Sequence, residues 1–217
     1  MPADGRFRTF LFDLDGTLID SIPLIMASFR HTMRTHLGNV PDDAAWRAGF
    51  GTPLRPQLRK FARDDEHAAR MVETYRAYTD THHDRLLKSY GGIDGALGTL
   101  RGAGAQLAVV TSKTRALAWR GLRGCGLDEY FGVLIGADDV SQHKPHPAPV
   151  LAALDRLSAS RADTVFIGDS PHDIEAGRAA GVRTAAALWG PFPRETLAPA
   201  LPHHWLAEPA CIAALAR

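Results

Sequence analysis

The chain has 217 residues, 45% hydrophobic and 23% charged, and its 25 Lys and Arg against 24 Asp and Glu give a formal net charge of +1. That composition excludes disorder, a collagen-like repeat and a coiled coil, and the length suits one large domain or one domain with a smaller insert. Balanced charge leaves no basic excess for nucleic acid or an anionic membrane surface, so neither is an expected partner.

Cys125 and Cys211 are the only cysteines, too few for a disulfide framework and not a close metal-ligand pair. The opening Met-Pro-Ala-Asp-Gly-Arg-Phe-Arg lacks the apolar run of a signal peptide. No stretch approaches the ~18 apolar residues of a membrane span, so the expected location is the reducing cytoplasm.

From the N-terminus, the apolar run Phe7–Leu14 fits a strand buried on both faces. It delivers Asp13 and Asp15 into a turn at Gly16, in Phe12-Asp13-Leu14-Asp15-Gly16-Thr17. Two carboxylates at a strand's carboxyl edge repel each other unless a proton or an oxygen-seeking cation such as Mg²⁺ stands between them. The following interval lacks strand-like runs. Ile22–Leu37, Asp42–Phe50, Leu54–Phe61 and Asp64–Leu87 read as helices, with Pro23, Pro41 and Pro53 near their starts, so a helical insert is expected. Within it, Arg55, Arg59 and Lys60 offer cations to a carboxylate or phosphate, or form a solvated helix face. His82 and His83 read as hinge residues in preference to ligands, and Trp46 as core.

Glycines at 91, 92, 95, 98, 102 and 104 mark the return to a sheet, whose next strand, Gln106–Val110, ends in Thr111-Ser112-Lys113. The two hydroxyls suit a helix N-cap or, with backbone N–H groups, a phosphate site. A helix over Thr114–Gly124, with Trp119 at an apolar position, precedes a strand at Gly132–Gly136. Lys144 stands before Pro145, Pro147 and Pro149 at the start of a helix over Pro147–Leu157. The strand Thr164–Gly168 ends in Asp169, and Asp173 follows at the start of a helix over Asp173–Ala180, where the helix dipole favours negative charge. A strand over Arg183–Leu188 leads to Trp189, read as a packed edge aromatic. Cys125 and Cys211 read as small packed residues, the latter in an Ala-rich terminal helix.

Alternating strands and helices imply right-handed crossovers and a doubly wound, Rossmann-like parallel sheet, an α/β fold carrying a smaller all-helical insert. The strand-end residues together resemble the haloacid dehalogenase (HAD) superfamily, in its Asp-x-Asp-Gly-Thr phosphatase and phosphomutase members. The resemblance implies Asp13 as nucleophile, Asp15 as acid and base, and Thr111, Ser112, Gly16 and Lys144 as groups around the phosphoryl unit. It also implies Mg²⁺ held by Asp13, the Asp15 carbonyl and Asp169, with Asp173 near the ion or paired with Lys144. The insert becomes a cap over 18–89, leaving 1–17 and 90–217 as the core domain, and Gly49-Phe50-Gly51-Thr52-Pro53-Leu54 resembles a loop aimed at substrate, with Arg55 just beyond.

The partner so implied is a small phosphorylated metabolite, and the protein a monomer or homodimer. Hydrolysis of a small phosphomonoester such as 2-phosphoglycolate stands first and of pyrophosphate second, with a β-phosphoglucomutase-like reaction third. From another class comes a noncatalytic, receiver-like phosphate-binding module.

Overall fold

The computed structural model describes residues 7–216; residues 1–6, on which most of the N-terminal reading rests, and Arg217 lie outside it. Strand β1 (Thr9–Phe12) is buried along its whole length, as its sequence Thr-Phe-Leu-Phe requires. A short strand β2 (Ile19–Asp20) then leads into four helices, α1 (Ile22–Leu37), α2 (Asp43–Arg47), α3 (Leu54–Arg59) and α4 (Asp65–Leu86). Strand β3 (Lys88–Ser89) returns antiparallel to β2, with Ile19 opposite Ser89, so the insert enters and leaves through one two-stranded ribbon.

The helix ends follow local chemistry. Pro23 occupies the first turn of α1, and Gly38 closes that helix with a φ of 74°. Asp64 caps α4 by accepting from the His67 N–H at 2.7 Å. Helix α2 stops at Arg47 instead of reaching Phe50, because the chain tightens there and the Phe50 N–H turns back to the Arg47 carbonyl. The insert has its own apolar cluster, including Met26, Phe29, Met33, Trp46, Leu58, Met71 and Tyr75, with Trp46 stacked on Phe29 at 4.5 Å.

Helix α5 (Ile93–Gly102), strand β4 (Gln106–Val110), helix α6 (Arg115–Gly124) and strand β5 (Val133–Ile135) follow. Then come α7 (Ala148–Leu157), β6 (Thr164–Gly168), α8 (Pro171–Ala180), β7 (Arg183–Ala187), α9 (Arg194–Leu197) and β8 (His204–Leu206). The six strands of the main sheet run in the order β5-β4-β1-β6-β7-β8, all parallel. Phe10, Phe12, Val109 and Ile167 face one layer with Leu97, Leu100 and Leu122, while Leu11, Val110 and Phe166 face the other with Val150, Leu154 and Ala176. Alternate residues of each strand thus meet helices on opposite sides, which makes the sheet doubly wound, as expected.

Several elements depart from the sequence reading. Helix α5 forms despite Gly95 and Gly98, because Ile93, Ala96, Leu97 and Leu100 bury one stripe. Strand β8 was not foreseen; its His-Trp-Leu carries too little apolar signal alone. The terminal segment Pro209–Leu215 is a 3-10 helix, not an α-helix, and Cys211 in it is half-buried. Trp119 is half-buried against the core instead of enclosed, whereas Trp189 packs there as an edge aromatic. No helix among the described residues is long and apolar enough to cross a membrane.

Candidate active site

The direction of chain connection reverses between β1 and β6, and open α/β sheets bind ligands at the carboxyl end of such a switch point. Asp13 follows β1 there, its N–H continuing the ladder to the Ile167 carbonyl at 2.9 Å, and Asp169 follows β6. The chain next turns tightly, with the Leu18 N–H on the Leu14 carbonyl at 3.0 Å. Gly16, at φ 86°, lets this turn lie against Asp169: a Cβ at Gly16 would stand 2.5 Å from Asp169 Oδ2. Thr17 Oγ1 donates to Asp169 Oδ1 at 2.6 Å, and Trp189 Nε1 donates to the Thr17 carbonyl at 2.9 Å. Trp189 therefore fixes the loop that orients Asp169.

Lys144 joins the strand ends. Its ammonium donates to Asp13 Oδ1 at 2.8 Å, Asp173 Oδ1 at 2.6 Å and the Val110 carbonyl at 3.3 Å. The peptide between Lys144 and Pro145 is cis. Asp173 is not the cap of α8. That cap is Ser170, whose hydroxyl and N–H both donate to Asp173 Oδ2, at 2.6 and 3.0 Å, while the Asp173 N–H donates back to Ser170 Oγ. With Lys144 on its other oxygen, Asp173 is committed to positioning the lysine.

Exposures of 3% for Asp13, 2% for Asp169, 0% for Asp173 and 3% for Lys144 leave this cluster almost without water. Burial, with repulsion from Asp173, pushes the Asp13 carboxyl up to about 7 despite Lys144. Burial and repulsion from Asp13 and Asp173 likewise hold Asp169 well above the ordinary carboxylate range. Burial works against the Lys144 charge, but Asp13 and Asp173 outweigh it and push its pKa up. One lysine does not compensate three buried acids.

That imbalance is what a divalent cation would correct. Ligand atoms of Asp13, Asp169 and Asp173 lie within 4.8 Å of one another. Asp13 Oδ2 and Asp169 Oδ2 have no hydrogen-bond partner among the described residues, so each acid keeps one oxygen for an ion. The Asp15 carbonyl likewise accepts no hydrogen bond there. Hard oxygen donors of this kind fit Mg²⁺. An acid whose folded pKa is raised loses its contribution to stability as pH rises from its unfolded value, near 3.9, through its folded one. Mg²⁺ is therefore expected to raise the melting temperature more at pH 8, where Asp13 would otherwise be ionised and uncompensated, than at pH 5, where protons occupy the cluster. Thermal scans with and without Mg²⁺ at both pH values check this; equal increments would contradict it.

Above the sheet edge, a cleft of about 260 Å³ separates Asp13, Asp15, Thr111 and Asp169 from the helical insert. Thr111 Oγ1 accepts from the Lys113 N–H at 3.2 Å, which leaves its own proton for a ligand. Ser112 behaves otherwise: its hydroxyl donates to the Gly51 carbonyl at 2.6 Å and clamps the 49–54 loop over the sheet edge. Gly51 sits at φ 89°, where a Cβ would stand 2.6 Å from Ser170 Oγ.

Lys113 was not singled out from the sequence, where a loop lysine carries no distinguishing signal. Its ammonium donates to Asp15 Oδ1, as does the Ser21 hydroxyl, so two donors hold Asp15 through that one oxygen. Arg55 lines the cleft as expected; Arg59 is instead paired with Asp65 at 2.6 Å and, with Lys60, lies away from it. Arg76 of α4 also lines the cleft and was missed, being one of several polar residues on a long amphipathic helix. His83 is buried with Nδ1 on Asp84 Oδ1 at 2.7 Å and faces Gly121 of α6, whereas His82 stacks on Tyr78 at 4.0 Å. Neither lines the cleft.

The chain is similar to known proteins in both sequence and fold. A profile described as haloacid dehalogenase-like hydrolase matches residues 10–187. A protein of Caldanaerobacter subterraneus subsp. tengcongensis, provisionally named pyrophosphatase PpaX, is 42% identical over 203 residues, covering 94% of this chain and 91% of that one. Pyrophosphatase PpaX of Halalkalibacterium halodurans is 41% identical over 180 residues, 83% of each chain. Among solved structures, a Lactobacillus plantarum protein provisionally named phosphoglycolate phosphatase superposes with a TM-score of 0.86 at 27% identity, covering 97% of this chain and 99% of that one.

Proposed function

The chain belongs to the haloacid dehalogenase-like hydrolase family, and from that premise we propose that it is a Mg²⁺-dependent phosphohydrolase acting through an aspartyl-phosphate on Asp13, with inorganic pyrophosphate as substrate. The observation that carries this reading is the convergence of Asp13, Thr111, Lys144 and Asp169 at the switch point, with Lys144 bonded to Asp13 at 2.8 Å.

In this reading Asp13 and Asp169, with the Asp15 carbonyl, hold the metal. When bound, Mg²⁺ supplies positive charge to the phosphoryl oxygens and keeps Asp13 ionised. Lys144 lies against Asp13 and adds charge on the same side, and the Thr111 hydroxyl orients the phosphoryl group. A carboxylate oxygen of Asp13 forms the new P–O bond as the bond to the leaving group breaks. Asp15 gives a proton to a leaving group that needs one, and later takes a proton from the water that attacks phosphorus and frees Asp13. The insert acts as a cap over residues 18–89 that excludes bulk water, held in place by the Ser112 clamp on Gly51.

The sequence put 2-phosphoglycolate ahead of pyrophosphate. The names of relatives above 40% identity favour the reverse, while the Lactobacillus plantarum structure keeps 2-phosphoglycolate as the second reading. A solved Thermotoga maritima structure provisionally named β-phosphoglucomutase is 24% identical with a TM-score of 0.77, a likeness that bears on the fold and not on the reaction, so the mutase stays third. Phosphate release with Mg²⁺ from pyrophosphate, 2-phosphoglycolate and a panel of sugar phosphates separates them. Pyrophosphate is expected to give the highest kcat/KM; negligible turnover of it beside rapid release from 2-phosphoglycolate would overturn the choice of substrate.

A further inference from the structure

Arg55 and Arg76 both line the helical wall of the cleft, and among the described residues neither makes a hydrogen bond or ion pair. For Arg76 the lack of a partner is notable, because Asp80 lies one turn along α4, at the spacing where arginine and aspartate ordinarily pair. Asp80 also lines the cleft, but its carboxylate pairs across to α6 and not with Arg76. Arg120, on α6 beneath the insert, donates to Asp80 Oδ1 at 3.1 Å, to the Asp80 carbonyl at 3.3 Å and to Asp84 Oδ1 at 3.3 Å. The contact between insert and sheet layer thus engages one oxygen of the Asp80 carboxylate, and the Arg76 guanidinium stands on the cleft wall with no hydrogen-bond partner among the described residues.

We propose that Arg76 recognises a second anionic group on the substrate, with Arg55 on the same wall, and that Arg120 keeps Arg76 available by holding Asp80. This rests on the reading of the site given above and narrows it to substrates with an anion beyond the transferred phosphoryl group. A guanidinium binds phosphate and carboxylate alike through paired N–H donors, so the distal group is the second phosphate of pyrophosphate or the carboxylate of a phosphorylated hydroxy acid. Arg76 and Arg55 are specificity residues in this scheme, and Arg120 is a positioning residue.

The test compares kcat/KM for pyrophosphate, 2-phosphoglycolate and p-nitrophenyl phosphate, which has no distal anion. Arg76→Met is expected to lower the ratio of a doubly anionic substrate to p-nitrophenyl phosphate by ~10- to 100-fold, the scale of one charge-assisted hydrogen bond, with most of the change in KM. A ratio that falls for pyrophosphate alone assigns the distal group as phosphate; one that falls for 2-phosphoglycolate alone assigns carboxylate. Arg120→Met frees Asp80 to neutralise Arg76 and should lower the same ratio, and adding Asp80→Asn should restore it, an outcome a merely structural role for Arg120 does not give. Equal losses with all three substrates, failure of Asp80→Asn to restore the ratio, or a wild-type protein that hydrolyses only p-nitrophenyl phosphate would each overturn the proposal. Failure of the underlying reading shows separately, as p-nitrophenyl phosphate turnover that survives Asp13→Asn.

Discussion

Asp13→Asn is expected to lower turnover by at least ~10⁴-fold, the scale on which covalent enzymes respond to loss of the nucleophile, while the protein stays folded. Asparagine has the shape of aspartate and can still accept from Lys144 through its carbonyl oxygen, so the packing between β1 and Lys144 survives. What disappears is the oxygen that would attack phosphorus. Stability should move in the opposite direction from activity. Asp13 is pushed up to about 7 by burial and by Asp173, so its charged form opposes folding, and that opposition grows as pH rises from the unfolded carboxylate range through 7. A neutral side chain removes it. In the absence of divalent cations at pH 8, Asp13→Asn should therefore melt higher than wild type, with little difference at pH 4. A variant that melts lower at pH 8 would show that Asp13 stabilises the fold as an anion, and the electrostatic description of the site would be wrong.

Lys144→Met should do the reverse. Methionine fills a similar volume, but its thioether offers nothing to Asp13 Oδ1 or Asp173 Oδ1, and both carboxylates are almost fully buried. Removing one partner of a buried ionic cluster typically costs about 3–5 kcal/mol, because the remaining charge is stranded without solvent. Ser170 still serves Asp173, so the exposed deficit falls mainly on Asp13. Protonation relieves it: with Lys144 absent the Asp13 pKa rises further, and the loss should be large at pH 8 and much smaller at pH 5. Denaturant unfolding at the two pH values measures the difference. A loss independent of pH would mean that Lys144 matters through packing instead of charge. Activity should be lost at both.

The sheet and its site were legible for the same reason. A strand buried on both faces must be apolar, so Asp13 and Asp169 break an otherwise uniform run at the point where the strand reaches the sheet edge, and a reader of the sequence sees both strand and ligand there. Thr111 and Lys144 are marked likewise, one by its strand and the other by the prolines around it. What escaped notice depends on contacts between distant segments. Ser112 carries a hydroxyl in the expected place, but only the fold shows the Gly51 carbonyl receiving it. Lys113 is a loop lysine until Asp15 comes to it from the other strand end, and Arg76 is a surface arginine until Arg120 takes its neighbour. Asp173 was legible at the helix start as a partner of Lys144, but only the fold shows that Ser170 takes the cap and turns Asp173 inward to the lysine. Strand β8 and helix α5 were lost to short length and to glycine, whose local preferences the packed core overrides.

Trapping the covalent intermediate tests the central claim most directly. Protein mixed with Mg²⁺ and pyrophosphate, quenched in acid within the first turnover and digested, is expected to carry one phosphoryl group on the peptide that contains Asp13, and Asp13→Asn should carry none. Hydrolysis proceeding at full rate with no label on that peptide, or with the label on another residue, would contradict it.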